Sequence, residues 1–86
     1  MTIVYTKHAI AKFELLKDFG WNITKIKIHH TLEQPRWRGV SRFGQATAMS
    51  LLDSKHILRV IFDRDGDILR VITFHPARRG TYESSL

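Results

Sequence analysis

The spacing of apolar residues predicts a helix near the start of the chain. Thr6 is a suitable N-cap residue and Gly20 a suitable stop, so the helix is expected to run to about Phe19. Four of its residues share one side at helical spacing and form the predicted buried stripe: Ala9, Ile10, Phe13 and Leu16. Residues 2–5, just before the helix, are predicted to form a short strand.

The next segment, residues 22–34, has no single period. Ile26 and Ile28 alternate with lysines as in a strand, whereas Ile28 and Leu32 have helical spacing. Pro35 would end a helix that begins near Thr24. From periodicity alone, helix and strand both remain open for this segment.

Two strand patterns follow, at 37–43 and 46–52, around a tight turn at Gly44-Gln45. Side chains alternate between the two faces of a strand. In the first strand this alternation places Arg38 and Arg42 on one face, opposite Trp37 and Phe43.

Two runs rich in Val, Ile and Phe, joined at Asp65-Gly66, predict a hairpin, because Asp-Gly tolerates the positive φ of a tight turn. A turn centred there predicts three facing pairs on one side: Phe62 with Leu69, Val60 with Val71, and Leu58 with Thr73. The other side then carries Arg59 and Arg70, and Arg38 or Arg42 from the preceding hairpin is expected to join them there. Strict alternation places His75 on the apolar side with Thr73, unless Pro76 breaks the register.

The residues therefore predict a single α+β domain over 1–86, with a helical N-terminal half and an antiparallel sheet of about four strands. The absence of cysteine excludes disulfides and thiolate metal sites. The first ten residues lack the apolar run of a signal peptide, and no segment approaches membrane-spanning length. A cytoplasmic protein without a membrane partner is expected.

The charge distribution points to an anionic partner. Fourteen lysines and arginines face eight acidic residues, for a net charge of +6. The arginines at 36–42 and 78–79 cluster without neighbouring acids, which favours nucleic acid, an acidic protein or an anionic membrane surface. Guanidinium groups bind phosphate in a bidentate manner, so the arginine clusters favour a partner that presents phosphate. A basic surface without a specific role is the alternative.

Several short motifs, taken in their order along the chain, resemble the RelE/ParE superfamily of bacterial toxins. They are the Thr-x-His-Ala start at 6–9, with Lys12 where Arg is usual, the Gly-x-x-Ile-Thr junction at 20–24, Pro35, and the ending RVITFHPARRGTY. The resemblance is nearest to the small HAxxR-type branch and to BrnT-like toxins. It covers nearly the whole chain, and it favours helix for 24–33.

The resemblance implies two N-terminal helices packed on one face of an antiparallel sheet of about four strands, with RNA bound on the other face. It further implies a metal-independent endoribonuclease that cuts mRNA, on the ribosome or free, without a cofactor. An acidic antitoxin protein would neutralise it, as in a type II toxin–antitoxin pair.

Metal-free RNA cleavage needs a base, a cation at the phosphate and an acid for the leaving oxygen. Histidine near neutral pH, arginine and tyrosine suit these roles. The candidate catalytic residues are Arg59, His8, His75 and Tyr82. The candidate RNA-binding residues are Arg70, Arg78, Arg79, Lys12, Arg38 and Arg42.

Structural roles compete for several of these residues. His8 is either catalytic or a helix residue bonded to the sheet, and Lys12 is either a ligand or a solvated helix residue. Arg70 either meets RNA or pairs with Asp63 or Asp67. Because no histidine is placed with certainty beside the arginines, a non-catalytic RNA- or partner-binding module on the same fold is the alternative function. No zinc-ligand spacing occurs, so no metal is expected.

Overall fold

The computed structural model describes residues 2–86 and confirms the predicted α+β class. The elements are, in chain order, β1 (Thr2–Tyr5), α1 (Lys7–Asp18), α2 (Lys25–Glu33), β2 (Trp37–Val40), β3 (Ala46–Leu51), β4 (His56–Asp65), β5 (Ile68–Arg78) and a final 3₁₀ turn (Glu83–Ser85). Within residues 2–86, neither helix has the length and apolar character needed to cross a membrane.

Both helices begin at threonine caps. The Thr6 hydroxyl accepts a hydrogen bond from the Ala9 amide at 3.1 Å, and the Thr24 hydroxyl accepts one from the Lys27 amide at 3.2 Å. Gly20, at φ 88°, follows the end of α1, as predicted. The ambiguous segment is therefore helical, and its end next to Pro35 is confirmed.

The sheet has five strands in the order β1-β5-β4-β3-β2, rather than the four predicted. Four strands form the antiparallel part, and β1 adds to its edge in parallel with β5. The short strand at 2–5 was predicted, but sequence periodicity does not reveal which edge a strand joins. The prediction of a wholly antiparallel sheet was therefore wrong for β1, which is parallel to β5.

The hairpin between β4 and β5 has a different register from the one predicted. Asp65 faces Ile68, so Gly66 and Asp67 form the turn, and Phe62 faces Val71 instead of Leu69. A shift of two residues leaves the faces unchanged, because side chains alternate with a period of two. Leu69 and Val71 therefore still lie with the apolar side of β4.

Beyond this point a β-bulge at Ile72 changes the faces. Ile61 pairs with Thr73 and Val60 pairs with Phe74, so Ile72 is the extra residue. Thr73 consequently lies opposite Ile61, not Leu58, and the predicted pairs of Val60 and Leu58 were wrong. The bulge brings Phe74 to the apolar side.

The helices cover that apolar side of the sheet. Phe74 is fully buried, with its ring centroid 4.8 Å from that of Phe13. The core cluster of buried residues comprises Ala9, Ile23, Ile28, Leu32, Ala48, Leu58, Val60, Leu69, Val71 and Phe74. Phe13 and Leu16 pack against it as predicted, whereas Ile10 is 47% exposed and does not belong to the stripe.

The C-terminal segment 79–86 folds over the opposite side of the sheet. Glu83 stabilises the turn at the start of this segment, because its Oε2 accepts from the Gly80 amide at 2.9 Å and from Arg79 Nε at 3.0 Å. A Cβ on Gly39 would lie 3.3 Å from the Leu86 side chain. Glycine at this position therefore lets the end of the chain approach β2 closely.

Candidate functional site

The side of the sheet away from the helices carries a row of aligned residues on four strands. Trp37 pairs with Met49, Met49 with Arg59, and Arg59 with His75. Arg59 has the opposite parity to Val60 and Leu58, which face the helices, so it occupies the predicted face. His75 shares that face only because of the bulge at Ile72, and its predicted place on the apolar side was therefore wrong.

Arg59 is the centre of this cluster. Only 9% of its surface is exposed, although a buried guanidinium normally needs partners for its charge. Its Nη1 lies 3.3 Å from His75 Nε2, and the Tyr82 ring covers it, with the ring centroid 4.0 Å from Cζ. Arg59 Nε is buried without a hydrogen-bond partner within residues 2–86. Part of the binding capacity of this guanidinium is thus not used.

The hydrogen bonds of His75 define its tautomer. Nδ1 lies 3.2 Å from the Pro76 carbonyl oxygen, which can only accept, so Nδ1 carries the proton. Nε2 then accepts from Arg59 Nη1–H. Burial lowers the pKa of His75, as do the charges of Arg59 and Lys12, while the bond to Pro76 raises it. His75 is therefore a neutral imidazole whose lone pair points towards the Arg59 guanidinium.

Tyr82 completes the cluster from the C-terminal segment. Its ring meets the ring of His75 edge-on, at a centroid distance of 5.6 Å and an angle of 73°. The clamp formed by Glu83, Gly80 and Arg79 holds the residues on both sides of Tyr82 in place. Three of the four predicted catalytic residues, Arg59, His75 and Tyr82, are thus in contact.

A cavity of about 340 Å³ opens beside the cluster. Its floor contains Arg59 and Ile61, Tyr82 forms one wall, and the β2–β3 loop at 41–45 forms the other. Arg42 lines this wall next to Phe43, whose ring lies 4.9 Å from Arg42 Cζ. Arg42 therefore reaches the predicted face, but through the loop, because β2 already ends at Val40.

The two candidate site residues on α1, His8 and Lys12, lie in different environments. His8 is exposed, and within residues 2–86 it forms no hydrogen bond with the cluster. Lys12 is half-buried and donates from Nζ to the Phe74 carbonyl oxygen at 3.0 Å. Burial lowers the pKa of Lys12, and its charge also acts on His75. Lys12 is thus bonded to the sheet edge and is not a solvated helix residue.

The remaining arginines are dispersed. Arg70 lies on the same face as Arg59 but forms a two-point ion pair with Asp63, which was the structural alternative. Arg38 pairs with Ala48 on the helix side of the sheet, so its predicted place on the Arg59 face was wrong. The cause is that Trp37, not Arg38, has the parity of Met49 and Arg59.

Arg78 and Arg79 lie at the end of β5 and diverge from each other. Arg78 pairs across the sheet with His56, whereas Arg79 lies over the Trp37 ring at 5.4 Å. The anchoring role of Glu83 was not predicted, although its spacing of four from Arg79 is a recognisable signal of an ion pair. The contact between Trp37 and Arg79 had no sequence signal, because it depends on how the C-terminal segment folds back.

Within residues 2–86, no group of three or more histidine or acidic side chains is arranged to hold a metal ion. Comparison of the chain with models of protein families, with characterised proteins and with solved structures found no significant match.

Proposed function

We propose that the protein is the toxin of a type II toxin–antitoxin pair of the RelE/ParE kind, a metal-independent endoribonuclease that cleaves mRNA in the cytoplasm. The observation that carries this proposal is the contact between Arg59, His75 and Tyr82 on the face away from the helices. These residue types match the cation, base and acid that cleavage of a phosphodiester requires.

In the proposed reaction, His75 Nε2 takes the proton of a 2′-hydroxyl, and the 2′-oxygen attacks the adjacent phosphorus. The bond from phosphorus to the 5′-oxygen breaks, and the Tyr82 hydroxyl gives its proton to that oxygen. Arg59 stabilises the charge that develops on the phosphorane. The products are a 2′,3′-cyclic phosphate and a 5′-hydroxyl. The lowered pKa of His75 favours the neutral form that a base needs.

Arg59 is the residue whose loss tests the proposal. Expression of the wild-type protein should arrest growth, and purified protein should cut mRNA, with or without ribosomes, into fragments with cyclic phosphate ends. Arg59→Ala should reduce cleavage by at least about 100-fold, because removal of one preorganised charge-stabilising donor typically has this effect. Arg64→Ala, which removes an exposed arginine from the same strand, is the matched control and should retain activity. Normal growth together with intact mRNA in both assays would refute the nuclease.

One observation favours the alternative, a non-catalytic RNA- or partner-binding module. Tyr82 covers Arg59, and Nε2 of His75 is occupied by the guanidinium, so the catalytic groups bind each other in the free protein. A module of this kind would bind RNA in a salt-sensitive manner and release no products. End analysis of incubated RNA separates the two functions.

The partner proposed for either function is a protein with an acidic segment. The net charge of +6 and the cavity lined by Arg42 and Arg59 are complementary to a negatively charged chain that folds on binding. The neighbouring gene should encode such a protein, and it should co-purify with this one at low salt. An isolated gene, or a neighbour that does not co-purify, contradicts the toxin–antitoxin proposal.

A further inference from the structure

A second cavity, of about 420 Å³, lies at the end of the sheet where β4 begins and β5 ends. It is lined by Ser54, Lys55, His56, Arg78 and Arg79. His56 and Arg78 are paired across the two strands, and the Arg79 amide donates to the Lys55 carbonyl oxygen at 2.9 Å. Backbone pairing therefore fixes the main-chain positions from which the basic side chains extend around the cavity.

The nearby carboxylates are occupied by the scaffold. Asp53 Oδ1 accepts from the Lys55 amide at 2.7 Å and lies 2.9 Å from His56 Nδ1. Glu83 is bonded to Gly80 and to Arg79 Nε, which leaves the two Nη groups of Arg79 free of that bond. The pKa of Asp53 and that of Glu83 are both lowered, chiefly by bonds from backbone amides. Each carboxylate is thus ionised and held by its own turn.

Lys55 and Arg78 are the cations left over. Both are exposed, and within residues 2–86 neither belongs to an ion pair. Two uncompensated cations beside the guanidinium of Arg79 create a positive potential in a cavity large enough for an anionic group.

The cavity lies at the end of the strands that carry the Arg59 cluster, but His56 and Arg78 have the parity of Leu58 and therefore point to the helix side of the sheet. The pair of His56 and Arg78 lies three positions along the strands from the pair of Arg59 and His75, which corresponds to about 10 Å. A shallow cavity lined by Trp37, Ser54 and Arg79 adjoins it on the Arg59 side of the sheet. An extended chain of phosphates that passes round the end of the sheet, over Arg79, could therefore contact both places at once.

We infer that the cavity lined by Lys55, Arg78 and Arg79 is a phosphate-binding subsite for single-stranded RNA. The inference rests on the proposed function, since it specifies how RNA is held beside Arg59. The ligand is a phosphate group, from the RNA backbone or from a 5′ end. The guanidinium groups of Arg36 and Arg79 both lie over the Trp37 ring, at 5.0 and 5.4 Å from its centroid, so a base that stacks on this ring would replace one of them.

Binding of a 2′-O-methylated single-stranded oligonucleotide, measured by fluorescence anisotropy with the full chain, tests the subsite without cleavage. The double variant Lys55→Ala/Arg78→Ala should bind at least about 10-fold more weakly. Its salt slope should fall by about 0.7 for each phosphate that the variant no longer binds. The control Lys17→Ala/Arg64→Ala removes the same charge from exposed positions elsewhere and should change affinity less than about 3-fold.

The source of the phosphate is determined by measuring the affinity of the wild type and of Lys55→Ala/Arg78→Ala for oligonucleotides with a 5′-phosphate and with a 5′-hydroxyl. If the double variant binds both oligonucleotides more weakly to the same extent, the subsite holds a backbone phosphate. If it binds only the 5′-phosphorylated one more weakly, the subsite holds a terminal phosphate. Either result supports the subsite. Equal affinities of the two double variants overturn it. Thermal melting checks folding, and the single variants Lys55→Gln and Arg78→Gln replace the double variant if it is unfolded.

The subsite and the nuclease can fail separately. A wild-type protein that cleaves mRNA while both double variants bind alike overturns the subsite alone. A protein that needs Lys55 and Arg78 for binding but never cuts RNA overturns the nuclease alone.

Discussion

The contact between Arg59 and His75 joins a permanent cation to a titratable base. Two positive charges 3.3 Å apart in a half-buried place would repel each other, and burial itself disfavours the imidazolium. The neutral tautomer relieves both effects, because Nε2 then accepts a hydrogen bond from the guanidinium. Tyr82 adds the face of its ring to the same cation. The cluster is thus stable with His75 in its basic form.

This arrangement predicts how stability depends on pH. Because burial holds the pKa of His75 below its usual 6.5, the unfolded chain takes up this proton first as the pH falls. The stabilisation that neutral His75 gives to the folded protein is complete above pH 6.5 and is lost as the pH falls towards the pKa of His75 in the folded state. Between about pH 7.5 and 5.5, urea unfolding of His75→Gln should therefore show a smaller loss of stability than the wild type. His8→Gln, at an exposed position, should retain the wild-type slope; equal slopes for all three proteins would contradict the prediction.

The elements were predictable to the extent that they depend on local pattern. The helix caps at Thr6 and Thr24 and the Gly20 stop are local signals, and all three were found in the structure. The faces of Arg59 and Val60 follow from alternation, which survives a register error of two. The bulge at Ile72 has no signal in the local sequence, because it depends on contacts between the edge of β5 and another element.

That edge meets α1. The Thr6 hydroxyl donates to the carbonyl oxygen of Ile72 at 2.7 Å, and Lys12 donates to that of Phe74. These long-range bonds satisfy the edge of β5 where β1 no longer pairs with it. The position of His75 beside Arg59 therefore depends on tertiary contacts that the sequence of β5 alone does not reveal.

The double role of Thr6 predicts unequal costs for the two helix caps. Thr24→Ala removes only an exposed cap bond and should cost about 1 kcal/mol. Thr6→Ala removes a cap bond of about the same value and also the bond to Ile72, for a total of about 2 kcal/mol. Chemical denaturation of both variants measures the difference. Equal costs would show that the bond to Ile72 contributes nothing to stability.

The charges of the whole molecule are not balanced by its ion pairs. Within residues 2–86, ion pairs engage Asp63 and Glu83, Asp53 is bonded to His56, and most lysines and arginines have no acidic partner. The surplus is distributed over both faces and both ends of the sheet, from Arg42 in the loop at 41–45 to Arg78 at the end of β5. Such a surplus attracts polyanions and at the same time repels itself in the folded state.

Self-repulsion predicts that moderate salt stabilises the free protein. Raising NaCl from about 50 to 300 mM shortens the screening length from about 14 to about 6 Å, which weakens the repulsion among the cations and should raise the melting temperature. Lys7→Gln/Arg64→Gln lowers the net charge from +6 to +4 at two exposed positions, so it should melt higher than the wild type at low salt and respond less to NaCl. Differential scanning calorimetry of both proteins measures the two effects. A melting temperature that falls with salt in both proteins would mean that the ion pairs of Asp63 and Glu83 outweigh the repulsion among the unpaired cations.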